Sequence, residues 1–362
     1  MAEYGYILTL DQGTSSTKAG LIDVFGHVFS SAQIPIGQTF PRTGWVEQDP
    51  WEILNSTIEA IDSLLEKSGV KLGEIHSIAI TNQRETVILW DSVSGEPLYQ
   101  GIGWQCRRTS AYCRDLIEQG YNEKIQKVTG LPIDPEFSAS KIAWILDYVP
   151  EARLKASKGE VKFGTVDSWL VWNLTNRRFH VTDITNASRT MLLDLDTLQW
   201  SSDMLELFNI PVSILPEIIP SNAVVGKMHK KFLKGESKDI VAVIGDQQAS
   251  LFGQACFEIG MTKCTYGTGA FMLTNTGENR ISNDSGLIQT VAWLIDDKVE
   301  YALEGAVLSA GATVNWALSN LGIAKDVSEL QYLAESVDDS DGVVVVPAFA
   351  GLGSPHWDSS AR

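Results

Sequence analysis

A chain of 362 residues, 44% hydrophobic and 20% charged, is long enough for two or three domains around a large core and has the make-up of a globular protein. Its formal charge of −17 argues against DNA, RNA or an anionic membrane as main partner, yet leaves room for an anionic nucleotide at a locally cationic site. No apolar run reaches bilayer length, no basic leader precedes residue 6, and Cys106, Cys113, Cys256 and Cys264 form no C-x-x-C pair, so membrane insertion, secretion and zinc or dithiol motifs are disfavoured and a reducing cytoplasm is the expected setting.

The first predicted element is a hairpin. An apolar run, Ile7-Leu8-Thr9-Leu10, breaks into Asp11-Gln12-Gly13-Thr14-Ser15-Ser16-Thr17-Lys18 and recovers as Ala19-Gly20-Leu21-Ile22. Its tip gathers a carboxylate, a row of hydroxyls and an ammonium, the set that a polyphosphate with its Mg²⁺ needs. A polar turn with no ligand accounts for the same residues equally well. Residues 28–40 read as further strand and connection. Asp49 as N-cap, Pro50 at the first helical position and Glu52 at capping-box spacing then open a helix. Ile53, Leu54, Thr57, Ile58, Ile61, Leu64 and Leu65 fall on one face of it, suited to covering a sheet.

Residues 75–81 (IHSIAIT) read as a buried strand that ends in Asn82-Gln83-Arg84-Glu85-Thr86, and residues 87–90 resume a strand. Charged residues beyond a strand's carboxyl end lie where α/β sheets hold ligands; a surface ion pair between Arg84 and Glu85 is the plainer alternative, although strand neighbours point to opposite faces. Trp104 follows two glycines before a helix over 110–118, where it suits a pocket wall or a core filler, and Cys106 and Cys113 are expected as core thiols on a helix. Another helix is predicted from Ser138 or Ser140. A strand-to-helix junction follows at 164–170 with Asp167 as cap, then a polar loop over 181–189. Residues 240–244 (IVAVI) read as a buried strand ending in Gly245-Asp246-Gln247-Gln248, with a helix over 249–256; Asp246 there faces a cleft, caps the helix, or both. Residues 262–275 (TKCTYGTGAFMLTN) repeat the opening device of strand, Gly-Thr-Gly turn and strand. Beyond them the reading gives strands over 281–292, 299–304 and 342–347 and a helix over 306–321.

The recurrence near residues 6 and 263 predicts two α/β lobes, 1–256 and 257–362, with a nucleotide in the cleft between them. The chain contains no Walker A, G-x-G-x-x-G or H-E-x-x-H sequence, which removes P-loop, Rossmann and zincin readings.

The ordered stretches LDQGTSSTKAGLID, GWVEQDPWEI, ITNQRETVILWD, GWQCRRT, FGTVDSWLVWNLT, HVTDITNASRTMLLD, GDQQASLFGQ, TYGTGAFMLTNTG, YALEGAV and VPAFAGLGSPHWD resemble the FGGY carbohydrate kinase family over essentially the whole chain. The resemblance implies ribonuclease-H-like (actin-type ATPase) α/β lobes, the first complete and the second incomplete. It implies transfer of the γ-phosphoryl group of Mg·ATP to a polyol or sugar hydroxyl, with glycerol, giving glycerol 3-phosphate, as leading substrate. A kinase for another polyol or ketose, and a non-catalytic polyol-binding remnant, are the alternatives. Carried over by residue, Asp246 matches the general base and Asp11 lies near Mg²⁺, with both as metal-side carboxylates. Arg84, Glu85, Trp104, Glu136, Gln247 and Phe271 line the polyol site with Asp246. Thr14, Ser15, Ser16 and Lys18 form the first phosphate loop, Thr268 the second, and Gly311 and Asn315 lie by the nucleotide. Lys18 stands where an Arg is usual and Asn315 where a Gln is common. Glu136 stands where the family usually has an aromatic, often Tyr, which predicts altered substrate binding. The resemblance further implies chain beyond Ser359-Ser360-Ala361-Arg362, carrying most of the adenosine pocket, and so predicts low or absent kinase activity for the 362 residues alone. Assembly into a homo-oligomer stays open.

Overall fold

A computed structural model describes residues 5–281, 285–349, 351–358 and 360–361; the readings that touch residues 1–4, 282–284, 350, 359 and 362 lie outside them. The hairpin forms as expected. Strand Tyr6–Gln12 pairs antiparallel with Ser16–Ile22, which pairs with Val28–Pro35. Tyr6–Gln12 also pairs in parallel with Ile75–Asn82, and Ile75–Asn82 in parallel with Asp239–Gly245; the short strand Gly226–Lys227 closes that edge of a six-stranded sheet. Alternation puts Leu8 and Leu10 into the core, where helix Pro50–Ser68 packs through Ile53, Ile61 and Leu64. Asp49 caps that helix by accepting from Trp51 N at 2.8 Å, and Gly69 ends it at φ 67°, a left-handed position suited to glycine. Glu52 does not close the expected capping box: its carboxylate accepts from Gly37 N at 2.8 Å instead and ties the helix to the preceding loop.

A second core gathers helices Ser110–Glu118 and Ser138–Tyr148 over the paired strands Ile88–Asp91 and Val161–Gly164. Cys106 and Cys113 are buried in it; Cys113 is on a helix, whereas Cys106 lies in the turn before it. The last sheet is antiparallel, in the order Thr262–Tyr266, Ala270–Gly277, Lys298–Val307, Ile288–Ile295.

Several expected elements differ. Residues 181–189 are not a loop: strand Val181–Asp183 and the short helix Ile184–Ala187 are fully buried, because Asp183 accepts from Thr185 N and Asn186 N and Asn186 pairs with Asn82, satisfying polar groups internally. Thr165, not Asp167, holds the cap position of helix Val166–Leu174, while the Asp167 carboxylate accepts from the Thr165 and Thr182 hydroxyls. The helix predicted over 249–256 begins at Asp246 and ends at Gly253, with Gly245 as its cap. Residues 306–307 continue a strand, and the helix starts at Gly311, running into a π-helical turn at Ala317–Leu321. Residues 343–346, four valines, form no strand; all four are exposed, and without a partner ladder a β-prone run has nothing to pair with.

Candidate active site

Strand register assembles the site. Gln12 pairs with Asn82 and Asn82 with Gly245, so the strands Tyr6–Gln12, Ile75–Asn82 and Asp239–Gly245 end level with one another. The residues at and just beyond those ends, Asp11–Thr14, Gln83–Glu85 and Asp246, therefore emerge at one carboxyl edge, where parallel sheets hold ligands. The Gln83 amide fixes the edge by donating to Gln12 Oε1 and Gly13 O, each at 3.1 Å. Glu85 adopts φ 63°, unusual for a non-glycine residue, and Thr86 N bonds back to Arg84 O at 2.8 Å. This tight turn resolves the strand-neighbour problem: Arg84 and Glu85 face one cavity instead of opposite faces.

The cavity, about 190 Å³, is lined by Arg84, Glu85, Trp104, Glu136, Asp246, Gln247 and Phe271, together with Thr14, Gln83, Thr265 and 267–269. Every residue expected at the polyol site is thus in its wall. Trp104 and Phe271 meet edge to face with centroids 5.8 Å apart, and the Trp104 indole N–H donates to Thr14 Oγ1 at 3.0 Å, so the tryptophan both walls the cavity and anchors the first hairpin. The Asp246 side chain keeps 31% exposure and so is open to the cavity. Burial lifts its carboxyl to about 6; Arg84 opposes the shift, while Glu85 and Asp11 add to it. Asp11 is raised too, by burial against the opposing charge of Lys18, its cross-strand partner.

Beneath the cavity lies a buried ion cluster. Arg84 donates Nη1 to Glu304 Oε2 at 2.7 Å and Nη2 to Glu304 Oε1 at 2.9 Å, and its Nε is 3.5 Å from Asp246 Oδ1 and 3.7 Å from Glu85 Oε1. Burial alone would lower the Arg84 guanidinium; Glu304, Glu85 and Asp246 reverse this and hold it raised. Arg189 donates to Glu85 Oε1 at 2.6 Å and Glu304 Oε1 at 3.1 Å and lies 3.6 Å from Glu136 Oε1. Burial pushes Glu304 up, but the two arginines bring it down to about 2. Burial pushes Glu136 up to about 8, helped by Glu85 and opposed by Arg189, and among the described residues its Oε2 has no hydrogen-bond partner. Lys263 is lowered by burial to about 8; its ammonium donates to Gln247 Oε1 and to Thr265 Oγ1.

The expected phosphate residues divide. Thr14 and Thr268 line the cavity; Asp11, Ser15, Ser16, Lys18, Gly311 and Asn315 do not. Ser15 and Lys18 are exposed along the opening hairpin and Ser16 Oγ accepts from Gln33. Helix Gly311–Trp316 docks its first turn on the second hairpin, with Gly311 N bonded to Gly267 O at 2.9 Å and Ala310 N to Thr268 O at 2.8 Å. A Cβ on Gly311 would sit 2.6 Å from Gly267 O, so that approach needs glycine. Asn315 is exposed one turn further on.

Sequence reading missed Arg189, Lys263 and Glu304. Arg189 lies in a stretch, 181–189, whose composition reads as a polar loop. Lys263 and Glu304 sit in β-rich runs (TKCTY and YALEG) where a lone charge among apolar neighbours was the available signal.

Residues 6–253 match the FGGY family of carbohydrate kinases, N-terminal domain, and residues 262–362 the C-terminal domain. Glycerol kinase 2 of Thermotoga maritima is 52% identical over 357 residues, 99% of this chain and 72% of its own length; glycerol kinase of Bacillus subtilis is 49% identical over the same shares. Among solved structures, Plasmodium falciparum glycerol kinase with ADP superposes with a TM-score of 0.87 at 39% identity, covering 99% of this chain and 71% of that one. Gluconate kinase from Lactobacillus acidophilus superposes with a TM-score of 0.86 at 25% identity, covering 99% and 72%.

Proposed function

The chain belongs to the FGGY family of carbohydrate kinases, with both family domains represented, and from that membership we propose that it phosphorylates glycerol with ATP, giving glycerol 3-phosphate and ADP. The observation that carries this reading is Asp246, an accessible carboxylate beside Arg84 and Glu85 in a small cavity lined in part by two hydroxyl-bearing hairpins.

In the proposed reaction one terminal hydroxyl of glycerol points at Asp246. Its oxygen bonds to the γ-phosphorus, the bond from that phosphorus to the β-bridging oxygen breaks, ADP leaves with the electron pair, and the hydroxyl proton passes to the Asp246 carboxylate. In a loose transition state that proton leaves late, so Asp246 works chiefly by orienting the hydroxyl and need not be a strong base. Arg84 Nε donates to a polyol oxygen and Glu85 accepts from one, while Trp104 and Phe271 pack on the CH faces. Thr14, Ser15, Ser16 and Thr268, with the backbone N–H groups of the two tips and the charge of Lys18, take the phosphates; Gly311 and Asn315 lie toward the rest of the nucleotide. Mg²⁺ enters with the nucleotide. Asp246 feels the charge of Asp11, and these two carboxylates would hold the cation that accompanies the nucleotide. When bound, that ion neutralises charge on the β- and γ-phosphoryl oxygens.

We divide the chain into a polyol-binding lobe, 1–256, and a second lobe, 257–362. We place the protein in the cytoplasm, a setting supported by its four unpaired cysteines; among the described residues no helix is long and apolar enough to cross a membrane. The direct test is ADP formation that depends on glycerol, measured by a coupled assay beside Asp246→Asn. Turnover equal in the two proteins, or wild type that neither binds nor phosphorylates glycerol, overturns the reading. A second reading, a longer polyol or a ketose as acceptor, is favoured by Glu136, whose unpartnered Oε2 offers an acceptor for an additional hydroxyl. Comparing kcat/KM for glycerol and for five-carbon polyols and ketoses in wild type and Glu136→Tyr decides it: a change of preference toward glycerol supports the second reading, and an unchanged KM for every acceptor removes Glu136 from substrate choice.

A further inference from the structure

Arg84 has three carboxylates within 4 Å and a single planar fork to give them. Both terminal nitrogens go to Glu304, at 2.7 and 2.9 Å, and Nη1 also donates to Gln248 Oε1 at 3.2 Å; Nε alone is left toward Asp246 and Glu85, at the longer distances of 3.5 and 3.7 Å. Glu304 lies on strand Lys298–Val307 of the second sheet, is fully buried, and does not line the cavity. It is held from the other side by Arg189 Nη2 at 3.1 Å, and Lys263 adds its positive charge. The first sheet thus supplies the arginine and the second sheet supplies the acceptor that orients it.

On the kinase reading given above, we propose that Glu304 is a positioning residue for phosphoryl transfer: its two oxygens hold the Arg84 fork below the cavity, so that Nε faces the polyol and the fork does not close on Asp246. A bidentate arginine–carboxylate pair fixes direction as well as energy. In a buried site the guanidinium cannot turn to water when its acceptor is lost, so it turns to the nearest remaining carboxylates. Those are Asp246 and Glu85, the groups that the polyol hydroxyls need. Glu304 therefore acts on the substrate only through Arg84, and the polyol half of the site is complete only when the second sheet is seated against the first. Because Glu304 does not line the cavity and reaches the substrate only through Arg84, whose free Nε faces Asp246 and Glu85, the effect falls on glycerol more than on ATP.

The test is a double-mutant cycle read by steady-state kinetics and by calorimetric titration of glycerol, using wild type, Glu304→Gln, Arg84→Ala and the double variant. Glu304→Gln is expected to raise KM and Kd for glycerol about tenfold or more while KM for ATP stays within about twofold, and Glu304→Asp to recover part of the loss. In the Arg84→Ala background the Glu304 change is expected to cost less than about twofold, since the two act as one unit. Equal losses in both backgrounds, parallel losses for glycerol and ATP, or unchanged glycerol affinity overturn the proposal. Should Glu304→Gln fail to fold, with two buried arginines left short of an acceptor, Glu304→Asp and its double with Arg84→Ala run the same cycle, judged by the same non-additivity. Wild type that neither binds nor phosphorylates glycerol overturns the kinase reading itself, and this proposal with it; wild type that binds glycerol beside an indifferent Glu304 overturns only the proposal.

Discussion

At the floor of the cavity Arg84, Glu85, Arg189 and Glu304 are buried and interlocked, each ionic group held by at least one group of opposite charge. At the rim, where the second hairpin borders the cavity, Thr268 is exposed, and among the described residues its hydroxyl oxygen has no hydrogen-bond partner; Ser15, on the first hairpin outside the cavity lining, is exposed in the same way, whereas Thr14 accepts from Trp104. The two regions belong to one site, yet they answer different physical demands. A buried charge has to be paired by the protein itself, so the floor is rigid before any ligand arrives and its parts depend on one another. An exposed hydroxyl is satisfied by water and exchanges it for a phosphate oxygen at little cost, so the rim contributes to binding and hardly at all to the fold. Asp246 stands between the two: it borders the floor through Arg84 and is open to the cavity.

That boundary position gives the largest expected effect. Asp246→Asn keeps the size and the hydrogen bonding but removes the proton acceptor, and kcat is expected to fall by about 10³-fold, within the range for loss of a positioned base. Calorimetry should still detect glycerol. A loss of binding equal to the loss in kcat would assign Asp246 to the floor alone.

Arg189→Met comes next and probes the floor as structure. The change keeps the volume but strands Glu85, Glu136 and Glu304 around an uncharged side chain, and a stability loss of about 3–5 kcal/mol is expected in urea unfolding. Lys18→Met, an exposed change at the hairpin, should stay within about 0.5 kcal/mol. Similar losses for the two would erase the contrast between floor and rim.

The floor also carries a pH signature. The Glu136 carboxyl is raised to about 8, chiefly by burial, against an ordinary value of 4.5. Between those values the folded chain binds more protons than the unfolded one. The contribution of this group is therefore fully present below pH 4.5, declines as pH rises toward 8 and levels off above it. Glu136→Gln removes the titration, so the difference in stability between variant and wild type should grow in the variant's favour from pH 5 to pH 8. A difference that is flat across that window refutes the assignment.

How much of this was legible in the sequence follows the same divide. Hairpin tips announce themselves locally, because Gly13, Thr14 and the serines are adjacent in the chain, and their counterpart at 267–269 repeats the pattern. Strand ends are nearly as plain, and they placed Arg84, Glu85 and Asp246 at one edge. What the floor lacked in the sequence was its pairing: Arg84, Glu85 and Glu136 are expected at the polyol site, but Arg189 and Glu304 meet them only through sheet register and through a buried helix that reads, by composition, as a polar loop. Polarity marks exposure only on average; Asp183 and Asn186 satisfy each other, Arg189 is met by Glu85 and Glu304, and all three are taken inside. The valines at 343–346 teach the converse, since apolar β-prone residues give a strand only when a neighbour supplies the ladder.

The smallest effects on the fold are expected at the rim, and they test the comparison from its other side. Thr268→Ala removes an exposed hydroxyl while the backbone that shapes the second tip stays in place: the Thr268 carbonyl still accepts from Ala310 N and Ala312 N, and Gly267 still bonds Gly311. Unfolding stability should therefore change by less than about 0.5 kcal/mol. A phosphate oxygen loses one donor, for which about 1.5–3 kcal/mol is typical of a hydrogen bond to a charged group, so KM for ATP should rise roughly ten- to 150-fold with KM for glycerol unchanged. The combination matters more than either number. If Thr268→Ala destabilised the chain as Arg189→Met does, the second hairpin would belong to the interlocked floor, and the division of the site into a self-satisfied base and a ligand-satisfied rim would be wrong.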